Sequence, residues 1–186
     1  YSGDEGASIA FAGSANDWGS DSSTYQWDWN NDGVYDASGQ TPNHTWNDNG
    51  SVTVGLKVSD LQGGEGLTTF TVTIQDVLPG SVDAGGPYSG STGQAVSLSG
   101  SATCAAVDTC TFAWDLDNDG AYDDATGMTP SHVWSAAGDF TIGLRVGDED
   151  GNAVTDTATV HITPGSMEIS LVAGWNLVSF NLAPTN

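Results

Sequence analysis

Twenty-four acidic residues against two basic ones give this 186-residue chain a formal net charge of −22, which excludes a phosphate-neutralising role on nucleic acid or on anionic membrane surfaces. Charged residues make up only 14% of it, below the roughly 25% of an average globular protein, so solubility rests on Ser, Thr, Asn and Gly, as in β-rich extracellular modules. A hydrophobic share of 38% with seven Trp supplies a core and excludes disorder, and no run reaches the ~18 apolar residues of a membrane span.

In chain order, short segments alternate apolar with small or polar residues. They are Ile9/Phe11, then Tyr25/Trp27/Trp29, then Val52/Val54/Leu56/Val58, then Phe70/Val72/Ile74. A period of two with Gly, Asn, Asp and Ser clusters between segments predicts half-buried β-strands. No window keeps a 3.6-residue apolar period long enough for a core helix. The pattern is then written again. Tyr1-Ser2-Gly3 returns as Tyr88-Ser89-Gly90, and Thr41-Pro42-Asn43-His44-Thr45-Trp46 returns as Thr129-Pro130-Ser131-His132-Val133-Trp134, one residue having been inserted between. Val54-Gly55-Leu56-Lys57-Val58 likewise meets Ile142-Gly143-Leu144-Arg145-Val146. The expected organisation is a β-sandwich over 1–76, a short semi-stiff linker over 77–87 and a second sandwich over 88–163. An apolar, strand-like tail follows over 164–186, read as a strand or the start of a further β-domain. Since the sequence opens mid-motif at Tyr1, it is read as a piece of a longer protein.

Each unit centres on an acidic hairpin loop. In the first, the oxygen-bearing positions are Asp28, Asn30, Asp32, the Val34 carbonyl and Asp36. In the second they are Asp115, Asp117, Asp119, the Ala121 carbonyl and Asp123, with Asp124 adjacent. This spacing, with Gly33 and Gly120 at the sixth position, follows the first nine positions of an EF-hand loop and points to calcium. Gly39 and Thr126 stand where that motif has its bidentate Glu, so the shell must be completed from elsewhere or by water. The competing reading is an Asp-rich turn whose side chains cap backbone amides. Asp76 and Glu168 are candidate interdomain ligands, Asp76 for the first loop and Glu168, with Ser166 as its alternative, for the second.

A unit opening with Gly86-Pro87-Tyr88-Ser89-Gly90 carries a Trp-Asp strand running into an Asp-Gly turn, then Pro-x-His-x-aromatic, then Gly138-Asp139-Phe140-Thr141-Ile142-Gly143-Leu144. It resembles the PKD domain. The resemblance covers about 1–76 and 82–163 and implies tandem all-β, immunoglobulin-like antiparallel sandwiches. Both units depart from the family's shorter Trp-x-Phe-Gly-Asp-Gly loop, and calcium is read from the longer loop rather than from the resemblance.

Cys104 and Cys110 are the only cysteines. Their spacing lacks that of a metal knuckle and favours a disulfide, two free thiols being the alternative; a disulfide implies a compartment outside the cytosol. His44 and His132 share one repeat position and are read as structural. The two bases, Lys57 and Arg145, also share one and are expected to answer acids on neighbouring strands. Of the tryptophans, Trp18 and Trp29 have no counterpart in the second unit (Ala105 and Leu116), which makes them candidate sugar-stacking platforms. No nucleophile–base pattern, phosphate loop, zinc motif or paired-carboxylate cleft is present, so no enzyme is expected. The expected function is a non-catalytic, calcium-binding spacer or adhesive module of a secreted or surface protein, its partners being Ca2+ and other protein modules or copies of itself. Two rivals are a fibre subunit that pairs through its C-terminal strand and a polysaccharide-binding accessory of a secreted hydrolase.

Overall fold

A computed structural model describes residues 1–16 and 23–165. Among these the chain is all β. The first sandwich contains β1 (Ser2–Asp4), β2 (Ser8–Ala10), β3 (Thr24–Asp28), β4 (Ala37–Ser38), β5 (Asn43–Thr45), β6 (Gly50–Ser59) and β7 (Glu65–Gln75). The second contains β8 (Gly80–Asp83), β9 (Tyr88–Ser91), β10 (Ala95–Ser97), β11 (Ser101–Thr103), β12 (Thr111–Asp115), β13 (Ala125–Thr126), β14 (Ser131–Val133), β15 (Gly138–Gly147) and β16 (Ala153–Thr163).

Each unit has one five-stranded sheet, in the orders β1-β7-β6-β3-β4 and β9-β16-β15-β12-β13. Small two-stranded sheets, β2-β5 in the first unit and β10-β14 in the second, close the opposite face. The first strand of each large sheet runs parallel to the last, Ser2 opposite Thr73 and Tyr88 opposite Val160. The remaining pairings of these sheets are antiparallel, and the registers repeat. Trp27 faces Leu56 as Trp114 faces Leu144.

The apolar positions of the two-residue period fill two separate cores. Ile9, Phe11, Trp27, Trp29, Val54, Leu56, Val72 and Ile74 form one, and Val96, Leu98, Trp114, Leu116, Ile142, Leu144, Val160 and Ile162 dominate the other. Each central indole is satisfied in the same way, Trp27 Nε1 donating to the Gly39 carbonyl (2.8 Å) and Trp114 Nε1 to that of Gly127 (2.9 Å). The Tyr that opens each unit ties its first strand to the next segment. Tyr88 Oη donates to the Ala84 carbonyl and accepts from Ser99 N–H (2.9 Å), as Tyr1 Oη accepts from Ala12 N–H (3.4 Å).

The segment 77–87 is not wholly a linker. β8 pairs with β11, Asp83 opposite Ser101, Val82 packs on the second core and Ala84 is fully buried within it. The alternation of Val82 and Ala84 with polar neighbours is a strand signal that its Gly and Pro content obscures. Cys104 and Cys110 are bonded to each other. Trp29 is 6% exposed, stacked between Trp27 and the His44 ring at 5.5 and 4.7 Å, which corrects its reading as a sugar platform. Its larger ring occupies core volume that Leu116 fills in the second unit. Trp18, Glu168 and the 166–186 part of the tail lie outside the described residues. No described helix is long and apolar enough to cross a membrane.

Candidate metal loops

Each acidic loop leaves the end of a buried central strand and must reverse within a few residues. Asp28 and Asp115 sit at that end and are 3% and 4% exposed. Their carboxylates are held from beneath by the turn itself. Asp28 accepts from Asp32 N–H (3.1 Å) and Gly33 N–H (2.8 Å), and Asp115 from Asn118 N–H (2.6 Å) and Gly120 N–H (2.9 Å). The reversal uses left-handed backbone at Asn31 (φ 56°) and Gly33 (φ 92°), and again at Asn118 (φ 61°) and Gly120 (φ 92°). Asn and Gly are the residues that tolerate this region.

Above that base the loops differ in charge. Asp119 Oδ1 accepts from Ala121 N–H (2.7 Å), and Asp117 Oδ1 from Asp119 N–H (3.2 Å). One carboxylate oxygen each from Asp115, Asp117 and Asp119 then lies within 4.8 Å of the others. Desolvation and the neighbouring charges of Asp119, Asp124 and Asp115 raise the Asp117 carboxyl above the usual carboxylate range. In the first loop Asp32 Oδ1 accepts from Val34 N–H (2.8 Å), while Asn30 donates through Nδ2 to Asp32 Oδ2 (3.0 Å). There the amide replaces a charge that the second loop leaves uncompensated. An ionised carboxylate has about four acceptor sites, so oxygens already taking one N–H retain capacity for a hard cation. The second loop fits calcium better than the first.

Other sequence candidates serve the hairpin. Asp36 Oδ2 accepts from Trp29 N–H (2.8 Å) and Asp124 Oδ2 from Leu116 N–H (2.6 Å) and Asp117 N–H (3.2 Å). Asp36 N–H and Asp124 N–H donate to the Trp27 and Trp114 carbonyls. Asp124 is therefore the structural counterpart of Asp36, the inserted residue falling before it, and Asp123 is exposed beside it. Neither Asp123 nor Asp124 joins the three-carboxylate group. Asp76 is also elsewhere. Asp28 pairs with Gly55, which pairs with Thr69; Asp76 is seven residues further along, about 23 Å at strand rise. It lies at the junction of the two units, close to a second carboxylate group of Glu5, Asp108 and Asp150. The motifs did not single out those three, because they belong to no single repeat. Comparing the units position by position reveals two of them, Glu5 standing where the second unit has Thr92 and Asp150 where the first has Gln62, while Asp108 has Asp21 as its counterpart.

The two histidines stand against tryptophan edges, His44 4.3 Å from Trp46 and His132 4.5 Å from Trp134. Desolvation holds His44 below the ordinary imidazole range, against the opposing charge of Asp36. Lys57 meets Glu65 at 2.5 Å; no carboxylate partner of Arg145 is found among the described residues.

A family model described as "PKD domain" matches residues 2–74 and 77–163. Among solved structures, the Clostridium thermocellum CbhA fibronectin(III)-like modules are 14% identical, with 92% of this chain and 93% of that one covered at a TM-score of 0.40. The amphioxus IgVJ-C2 molecule is 16% identical, with 88% and 99% covered at 0.45. The Bacteroides ovatus mixed-linkage glucan utilization locus SGBP-B, solved with a mixed-linkage heptasaccharide, is 17% identical; 87% of this chain covers 42% of that one at 0.36.

Proposed function

The chain belongs to the PKD-domain family, and on that premise we propose that it is a non-catalytic extracellular module whose acidic hairpins bind calcium and stiffen it as a spacer between neighbouring domains. The observation carrying this reading is the convergence of Asp115, Asp117 and Asp119 within 4.8 Å on a turn anchored to a buried strand. Calcium there offsets the mutual repulsion of three carboxylates and locks the hairpin. Asn118 and Gly120 supply the backbone reversal, and Asp124 holds the far arm of the loop. With three carboxylates and an open, solvent-facing rim, the expected affinity is that of extracellular modules, on the order of 10⁻⁴–10⁻³ M.

Calorimetric titration of the chelator-stripped chain with calcium, paired with thermal melts, tests the reading. Saturable heat and a raised melting temperature, both diminished by Asp119→Ala, are expected. Heat unaffected by Asp119→Ala and Asp32→Ala would leave the loops as plain turns. Placement outside the cell is supported by the Cys104–Cys110 disulfide, a bond that persists in oxidising compartments.

A further inference from the structure

The two sandwiches meet across carboxylates drawn from both. Glu5 follows β1 and donates its N–H to the Gln75 carbonyl. Its Oε1 accepts from Val77 N–H (2.7 Å), its side chain is 4% exposed, and its Oε2 is buried with no hydrogen-bond partner. From the second unit, Asp108 arrives on the disulfide-closed 104–110 loop and Asp150 on the turn joining β15 to β16. One oxygen from each of the three lies within 4.8 Å of the others. Asp76 Oδ1, Asp108 Oδ2 and Asp148 Oδ2 are likewise buried without partners. The other oxygens of Asp148 and Asp76 are held by Asn152, whose N–H donates to Asp148 Oδ1 (2.8 Å) and whose side-chain amide donates to Asp76 Oδ2. Val107 closes the contact, its Cγ1 3.1 Å from where a side chain on Gly6 would begin.

A buried carboxylate oxygen with no donor costs several kcal/mol unless something positive replaces the lost water. The chain has two Lys/Arg residues. Lys57 is engaged with Glu65, and Arg145 lies mid-strand opposite Ala113 and Thr155. Glu5, Asp76, Glu149 and Asp150 are specific to the junction, whereas Asp108 and Asp148 correspond to Asp21 and Asp60 of the first unit. At the corresponding places away from it, Thr92 replaces Glu5, Pro164 replaces Asp76, and Leu61 and Gln62 replace Glu149 and Asp150. Thr92 Oγ1 accepts Gly165 N–H (2.7 Å) much as Glu5 accepts that of Val77, so capping this amide does not require a carboxylate.

We propose that the junction is a further divalent-cation site, taking calcium through oxygens of Glu5, Asp108 and Asp150 with Asp76 and Asp148 flanking it. Oxygens on opposite sides of calcium stand about 4.8 Å apart, so three oxygens mutually within that distance fit in one coordination shell. Because the ligands come from both sandwiches, an ion bound here fixes one relative to the other. The inference uses none of the hairpin-loop residues and stands whether or not those loops bind.

The test is titration of the chelator-stripped full chain with calcium chloride, read by calorimetry and by small-angle X-ray scattering. Glu5→Gln keeps an acceptor for Val77, and Asp150→Asn changes an exposed side chain, so both variants are expected to fold, which their far-UV circular dichroism checks. Each is expected to remove one calcium equivalent that Asp119→Ala leaves in place. Calcium is expected to narrow the scattering distance distribution of the unaltered chain and not that of Glu5→Gln. The same number of equivalents in Glu5→Gln as in the unaltered chain would overturn the proposal. So would a melting temperature raised by Glu5→Gln equally in calcium and in chelator, since the acids would then be an electrostatic cost with no ion to relieve it.

Discussion

The glycines of the two Gly-Ser-Ala runs are explained by the side chains they face. A Cβ at Gly100 would stand 2.7 Å from Leu144 Cδ2 and 2.9 Å from Trp114 Cζ2, and one at Gly13 would stand 2.7 Å from Tyr25 Cδ1. Gly100→Ala is expected to destabilise the second unit by about 1–3 kcal/mol through overpacking, read as a lower urea midpoint at unchanged slope. His44 adds a pH dependence. Its folded-state affinity for protons lies below that of the unfolded chain, so its contribution is present above the unfolded value near 6.5 and is lost as pH falls from there through the lower folded value. Between about pH 7.5 and about pH 5.5, the urea midpoint of the unaltered chain is expected to fall further than that of His44→Gln. The repeat alignment marked His44 as structural but misjudged Trp29. Lacking a Trp counterpart in the second unit does not make a residue exposed; a core tolerates Trp in one copy and Leu in the other when its neighbours repack.

At the scale of elements, the existence of strands is legible because a two-residue apolar period and Gly-rich punctuation are local signals; their pairing, including the parallel β1–β7 and β9–β16 contacts, is not. The PKD resemblance supplied the topology. What was not legible was the exact position of the inserted residue. Asp123 and Asp124 are chemically identical in sequence, and only the hydrogen bonds tell them apart. Asp124→Ala strands the Leu116 and Asp117 amides and is expected to cost about 1–3 kcal/mol, whereas Asp123→Ala is expected to stay within about 0.5 kcal/mol. Comparative denaturation of the two variants in chelator decides this without reference to metal. β8 is obscured differently, its short Val82/Ala84 alternation being masked by the Gly and Pro around it.

For the whole molecule, the disulfide has two consequences. In the loop-entropy model, closing a loop this short stabilises by roughly 2 kcal/mol, so replacing both Cys104 and Cys110 by Ser is expected to lower the melting temperature of the second unit. The same replacement frees the segment carrying Val107 and Asp108 and is expected to weaken calcium binding at the junction while leaving the Asp119-dependent heat intact. The parallel pairing of β1 with β7 has a separate, mechanical consequence. The two strands are the entrance and exit of the first unit, joined by bonds such as Glu5 N–H to the Gln75 carbonyl and Thr73 N–H to the Tyr1 carbonyl. Tension applied at the two ends drags these strands past each other lengthwise, so their hydrogen bonds bear load together instead of opening one at a time. β9 and β16 repeat the arrangement in the second unit. A chain built in this way is suited to be pulled.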